Sequence, residues 1–327
     1  MNINWHGVIP AITTRFNEDY SIDHAFFAEH CRWLIDGGCV GLVPGGSLGE
    51  GATLDVAEKI ALFETAVGAV GERAPIIPGI AALSTAEAVH LAHGAEAAGC
   101  SGLMVLPPYA YSTDWREMKA HIDSVIRATR LPVMLYNNPL SYITDFVPVH
   151  IAELAREHAN LVAVKESSSD LRRITAIRAL IGTRLELLVG VDDCIVEGVQ
   201  AGAVGWIAGL VNAFPRESVE LFRLAVQQRD GKGDQTRLDA LYHWFLPLLR
   251  LDTVPKLVQL IKLAQSMVGM GSTRVRPPRL ELDAVEATQA RDVIQHALDL
   301  RPEYDLTAKT PSEDEYKAPS WRLGGSI

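Results

Sequence analysis

Lys165 is the residue whose placement first suggests chemistry. It follows the apolar run Leu161-Val162-Ala163-Val164 and precedes the polar segment Glu166-Ser167-Ser168-Ser169-Asp170. Four consecutive apolar residues read as a buried parallel strand, which is apolar on both faces rather than alternating. An ammonium at the carboxyl end of such a strand is disfavoured by desolvation. A lysine held neutral is nucleophilic and can add to a carbonyl carbon to give a Schiff base. A lysine that snorkels to the surface at a strand end explains the same stretch equally well. The decision therefore rests on what the rest of the chain brings to that end. No other lysine falls in a predicted strand: Lys59, Lys119, Lys232, Lys256, Lys262, Lys309 and Lys317 fall on predicted helices, in a loop or in the tail. Tyr136 closes the preceding predicted strand, where a phenol can donate or accept a proton.

The elements that must position these residues alternate. Strand patterns occupy 7–13, 39–43, 74–80, 102–106, 131–136, 161–164, 185–190 and 203–208. Between them run helical patterns at 23–35, 54–70 with Thr53 as N-cap, 85–98 capped by Ser84, 114–128, 149–158 and 171–181. A short helix follows Asp192-Asp193, and another starts near Phe214. Eight strand–helix units predict a parallel sheet with right-handed crossovers, closed into an α/β TIM (β/α)8 barrel. The rival, an open doubly wound sheet, usually carries a GxGxxG fingerprint after its first strand, and none is present. Gly45-Gly46-Ser47-Leu48-Gly49 lacks the lysine of a phosphate-binding loop and reads as a tight turn offering amides to an anion such as a carboxylate. On a barrel, the candidates at the strands' carboxyl ends are Thr13, Thr14, Ser47, Leu48, Tyr109, Tyr136 to Asn138, Lys165, and Gly190 to Asp193. Beyond the eighth unit the pattern stays helical at 235–249, at 254–268 with Pro255 in the first turn, and at 283–298 after the turn Arg276-Pro277-Pro278-Arg279. The expected division is a barrel over 5–225, a C-terminal helical extension over 226–300 and a mobile tail over 301–327.

Composition narrows the partners. The 327 residues are 48% apolar and carry a net charge of -10, which argues against nucleic acid and anionic membranes. No apolar run of about 18 residues suggests a membrane span, and residues 1–7 do not read as a secretory signal. The cysteines at 31, 39, 100 and 194 are scattered. They suggest neither disulfides nor zinc, and fit a reduced, cytoplasmic compartment. A metal-dependent aldolase needs clustered histidines or carboxylates at the strand ends. The histidines fall mostly on helices, and Asp192-Asp193 reads as a cap for the next helix, so no metal is expected.

Four motifs in sequence resemble the dihydrodipicolinate synthase / N-acetylneuraminate lyase family over about residues 5–298. They are Gly46-Ser47-Leu48-Gly49-Glu50, Tyr136-Asn137-Asn138-Pro139, Val164-Lys165-Glu166 and Gly190-Val191-Asp192-Asp193. The resemblance implies a class I, Schiff-base TIM-barrel lyase without a separate cofactor, usually a homotetramer built as a dimer of dimers. It implies that Lys165 forms the imine with a small 2-oxo acid and that Tyr136 relays protons. Ser47 would hydrogen-bond that tyrosine and the substrate carboxylate. Tyr109 would cross a tight dimer interface to complete the relay. Gly46, Leu48, Asn138, Gly190 and Ile207 would line the substrate pocket, Ile207 through its carbonyl. Two positions depart from the pattern: Leu48 replaces a second threonine, and Ser141 stands where the synthases carry an arginine for the second substrate's carboxylate. Tyr142 and the run 205–215 resemble the subgroup of hydroxyproline breakdown, the 1-pyrroline-4-hydroxy-2-carboxylate deaminases. The competing readings are a 2-keto-3-deoxy sugar acid aldolase or dehydratase, 4-hydroxy-tetrahydrodipicolinate synthase, and a catalytically silent barrel that binds a metabolite.

Overall fold

The computed structural model describes residues 3–108 and 114–302. Seven named parallel strands stand in the order β1-β7-β6-β5-β4-β3-β2. They are β1 (Gly7–Pro10), β2 (Gly79–Ile80), β3 (Leu103–Val105), β4 (Val133–Asn137), β5 (Leu161–Glu166), β6 (Glu186–Val189) and β7 (Gly205–Ala208). The eighth predicted strand position, 39–43, closes the ring as bridges instead of a regular ladder. Val43 bridges Ala11 on one side and Leu42 bridges Ile76 on the other, both parallel. Its amides bond to Val8, Pro10 and Pro75, and its carbonyls receive Ile12 and Ile77. The ladder is broken there because Pro44, Pro75 and Pro78 have no N–H to contribute. The barrel expected from the alternation is therefore present, with shorter regular strands near its second and third positions than the apolar runs suggested.

The helices follow the predicted pattern with local corrections. Asp55, not Thr53, caps Val56–Val70, in a reciprocal capping box with Glu58. Thr53 lies instead in the preceding 3-10 turn Gly51–Thr53. The pattern at 254–268 becomes regular only over Leu257–Met267, so Pro255 precedes the helix instead of entering its first turn. Asp192 and Asp193 provide no side-chain cap to Ile195–Gln200. The helix Gln235–Leu249 matches its predicted limits and packs on Pro215–Arg229. Leu257–Met267 packs on the 3-10 turn Leu210–Asn212 and on Ala284–Asp299. Leu241, Phe245 and Ile261 on these helices join the same buried cluster as Ile9, Leu135 and Val164 of the barrel. Cys31, Cys39 and Cys100 are buried there too, and burial pushes the Cys31 and Cys100 thiols up to about 12. No described helix is long and apolar enough to cross a membrane.

One buried ion pair ties the C-terminal helices to the loop after the second strand position. Glu50 is fully buried with a left-handed φ of 56° and receives Lys262 Nζ and the Arg276 amide. Lys262 also donates to the Arg274 carbonyl. Burial pulls the Lys262 ammonium below its usual range, and Glu50 opposes that. Removing one member of a buried pair costs about 3–5 kcal/mol, because the other charge stays desolvated. Lys262→Met is therefore expected to lower the unfolding free energy from urea titration by that amount, with a lower midpoint at unchanged slope. Glu50→Gln combined with Lys262→Met should cost less than Lys262→Met alone, which a double-mutant cycle reads directly.

Candidate active site

The carboxyl ends of β4 and β5 bring Tyr136 and Lys165 side by side. The two are Cα partners in the ladder, so their side chains share a face. That pairing depends on a register shift between Val133 and Met134. Val133 is opposite Leu161, but Met134 is opposite Ala163. Without the extra residue in β5, Val164 would face Tyr136 and the lysine would fall on the outer face. As built, Lys165 Nζ lies 4.2 Å from the centroid of the Tyr136 ring, and both residues are buried.

On the outer face the next ladder pair, Asn137 and Glu166, is bonded directly. Asn137 Nδ2 donates to Glu166 at 3.1 Å and to Asp145 at 3.2 Å. Asp145 holds Arg173 through two bonds of 2.5 and 2.9 Å. The Ser168 amide donates to Glu166 at 2.7 Å. Burial raises the Glu166 carboxyl above its ordinary range despite these donors. This layer fixes the ends of both strands, and with them the two inward side chains.

A cavity of about 450 Å³ opens over Lys165, within the range of small-molecule sites. Gly46, Ser47, Leu48, Tyr136, Asn138 and Lys165 line it, as do Gly190 and Ile207. These eight candidates are thus brought together, whereas Asn137, Asp192 and Asp193 are not among the lining residues. Tyr109 lies outside the described residues. Thr13 and Thr14, also at a strand end, turn inward to structural bonds with Gln265 and the Gly49 carbonyl. Asn138 donates to the Tyr136 hydroxyl at 2.9 Å and accepts from the Ser141 amide at 3.0 Å. Among the described residues, the Ser47 and Leu48 amides have no backbone acceptor.

Two expectations are corrected here. The Ser47 hydroxyl is hydrogen-bonded to Tyr142, not to Tyr136. Tyr142 ends the one-turn helix Pro139–Tyr142 and sets its ring edge-on to Tyr136, with centroids 5.9 Å apart. It therefore occupies the space next to Ser47. Asp192 is not a helix cap. Its carboxylate accepts from the Trp206 indole at 2.9 Å and from the Gly209 and Leu210 amides, down to 2.7 Å. Burial lifts it to about 6, against the pull of those donors and of Lys165.

Sequence reasoning had not singled out Ser167, Gly209 and Asp252, which also line the cavity. For Ser167 a signal existed, since residues two apart on a strand share a face. For Asp252, on a connection far along the chain, there was none. Glycine at 190 is a requirement of space. A Cβ there would lie 2.0 Å from Ser167 Oγ and 2.5 Å from Lys165 Cε.

This chain belongs to the dihydrodipicolinate synthetase family, whose model matches residues 4–297. It is accordingly an enzyme of the class I, Schiff-base lyase kind. Curated relatives include the 4-hydroxy-tetrahydrodipicolinate synthases of Chelativorans sp. and Agrobacterium fabrum. The first is 31% identical over 294 residues, 90% of this chain and 98% of the relative. The second is 32% identical over 272 residues, 83% and 91%. Among solved structures, the dihydrodipicolinate synthase of Aquifex aeolicus superposes with a TM-score of 0.84 at 27% identity, covering 91% of this chain and 100% of its own. A prophage protein of the dihydrodipicolinic acid synthase family from E. coli K12, solved in complex with pyruvate, gives 0.83 at 27%, covering 90% and 99%.

Because the lysine stem passes through the gap at position 190, Gly190→Ala should displace its amine by an ångström or more. A misplacement of that size costs on the order of 10²-fold in rate. The initial rate at which borohydride fixes pyruvate to the variant is expected to fall accordingly.

Proposed function

We propose that Lys165 forms the Schiff base of a lyase or hydro-lyase acting on a small 2-oxo acid or cyclic imino acid. The observation that carries this reading is the buried Lys165 amine over Tyr136, at the floor of the cavity. Addition of Nζ to the substrate's C2 gives a tetrahedral adduct that collapses to an iminium. The iminium makes the C3 proton acidic, and the Tyr136 hydroxyl is the group placed to move it. Asn138 orients that hydroxyl. The Ser47 and Leu48 amides suit the substrate carboxylate, and the Ser47–Tyr142 bond holds their turn. No metal or separate cofactor enters this chemistry.

Within that class we propose 1-pyrroline-4-hydroxy-2-carboxylate as the substrate, with deamination to 2-oxoglutarate semialdehyde. Lys165 is the only basic side chain among the described residues that line the cavity, and Ser141 is part of that lining. A second substrate with its own carboxylate would find no cation there, and a buried carboxylate needs one. That weighs against 4-hydroxy-tetrahydrodipicolinate synthase, the reading favoured by the relatives' names. A 2-keto-3-deoxy sugar acid, cleaved or dehydrated, fits the same cavity and is the alternative. For the assembly we propose a dimer of dimers, a reading supported by the exposed apolar side chains of Leu140 and Ile143 beside the cavity.

Borohydride trapping with peptide mass spectrometry tests the reading. Pyruvate, 1-pyrroline-4-hydroxy-2-carboxylate, 2-keto-3-deoxy sugar acids, and pyruvate with aspartate semialdehyde are the probes. A reduced adduct is expected on the peptide carrying Lys165 and absent from Lys165→Arg. Tyr136→Phe should retain the adduct and lose about 10²- to 10⁴-fold in turnover. A folded protein that gives no adduct with any probe would leave a silent barrel as the remaining reading.

A further inference from the structure

Two polar side chains that line the cavity have no part in the Schiff-base chemistry described above. Asp252 ends the 3-10 turn Arg250–Asp252, and its carboxyl lies directly against Gly209. A Cβ at residue 209 would stand 2.1 Å from Asp252 Oδ1, so the carboxyl fills the space that glycine leaves. Among the described residues, its side chain has no hydrogen-bond or ion-pair partner; the neighbouring Arg250 points to Asp193 at 3.6 Å. Ser167 is 1% exposed, and its hydroxyl also has no partner. A buried hydroxyl left unpaired is unfavourable, so the cavity suits a ligand with its own polar groups.

We propose that Asp252 is the acid that protonates the hydroxyl leaving C4 of the substrate, so that the substrate class is a 2-oxo or cyclic 2-imino acid carrying a 4-hydroxyl. The inference rests on the Schiff-base reading of Lys165. Once the C3 proton has been taken from the iminium, the enamine pair forms a C3=C4 bond. The C4–O bond breaks with its electron pair on oxygen. Oxygen takes the proton of Asp252 and departs as water, leaving a conjugated iminium on Lys165 and an Asp252 carboxylate that solvent reprotonates. No oxidant or reductant is required.

The electrostatics suit an acid. Burial first, then the Asp192 charge, push the Asp252 carboxyl well above the ordinary carboxylate range. Lys165 opposes this and Asp193 adds to it.

The test compares Asp252→Asn with the parent protein, using pyruvate and 1-pyrroline-4-hydroxy-2-carboxylate as probes in the trapping assay. Both proteins are expected to give the pyruvate adduct on Lys165, since pyruvate has no hydroxyl to lose. With the hydroxylated probe, the variant should accumulate an adduct heavier by one water than the species trapped on the parent. Its turnover should fall by about 10²-fold or more. Asp252→Ser, which leaves Gly209 uncrowded, repeats the comparison should the amide variant not fold. Turnover within a few-fold of the parent would overturn the inference. Loss of the pyruvate adduct in a folded variant would overturn it too, since Asp252 would then serve the lysine itself. A parent protein that forms the pyruvate adduct but leaves every 4-hydroxylated acid unchanged would sink this inference alone, whereas a parent with no adduct at all sinks the Schiff-base reading first.

Discussion

Lys165 reaches the cavity through a gap that exists because residue 190 has no side chain. The lysine stem and the Ser167 hydroxyl occupy the volume a Cβ would need. The same device recurs across the mouth, where the missing side chain of Gly209 admits the Asp252 carboxyl. Side chains in close-packed interiors have little freedom to retreat. The two glycines therefore set where the amine and the acid stand, and the rest of the mouth is arranged around those positions.

What holds the mouth in shape is mostly polar and mostly buried. Asp192 gathers the Trp206 indole and the amides of Gly209 and Leu210, which stitches the end of β6 to the turn after β7. Asn137, Glu166, Asp145 and Arg173 do the same for β4 and β5 from the outer face. Glu50 and Lys262 lock the Ser47 loop to a helix from the far end of the chain. Each network is costly if half satisfied and rigid when complete. A site that must present an amine, a phenol and two free amides to one small molecule gains its precision from such rigid supports.

The charge pattern inside follows from this arrangement. Lys165 lies against the Tyr136 ring, and Ser47 and Leu48 line the same cavity. Asp192 and Asp252 stand close enough to Lys165 to feel its charge, and burial raises both carboxyls above their ordinary range.

Much of this was legible in the chain itself. Eight apolar runs alternating with amphipathic ones point to a parallel sheet buried on both faces, and the missing GxGxxG after the first run favours a closed barrel over an open doubly wound sheet. The carboxyl ends of those runs already named Ser47, Tyr136, Lys165 and Gly190, since active sites of this architecture form there. Local periodicity could not reveal the register shift opposite Val133 that turns Lys165 inward, because pairing across strands is a tertiary choice with a period of two. Nor could it show that Ser47 meets Tyr142, or that Asp192 binds amides after β7 instead of capping its own helix. Asp252 was invisible for the same reason. Its meaning comes from a contact with Gly209, 43 residues earlier, and from a cavity that forms only when helices after the barrel fold back over its mouth.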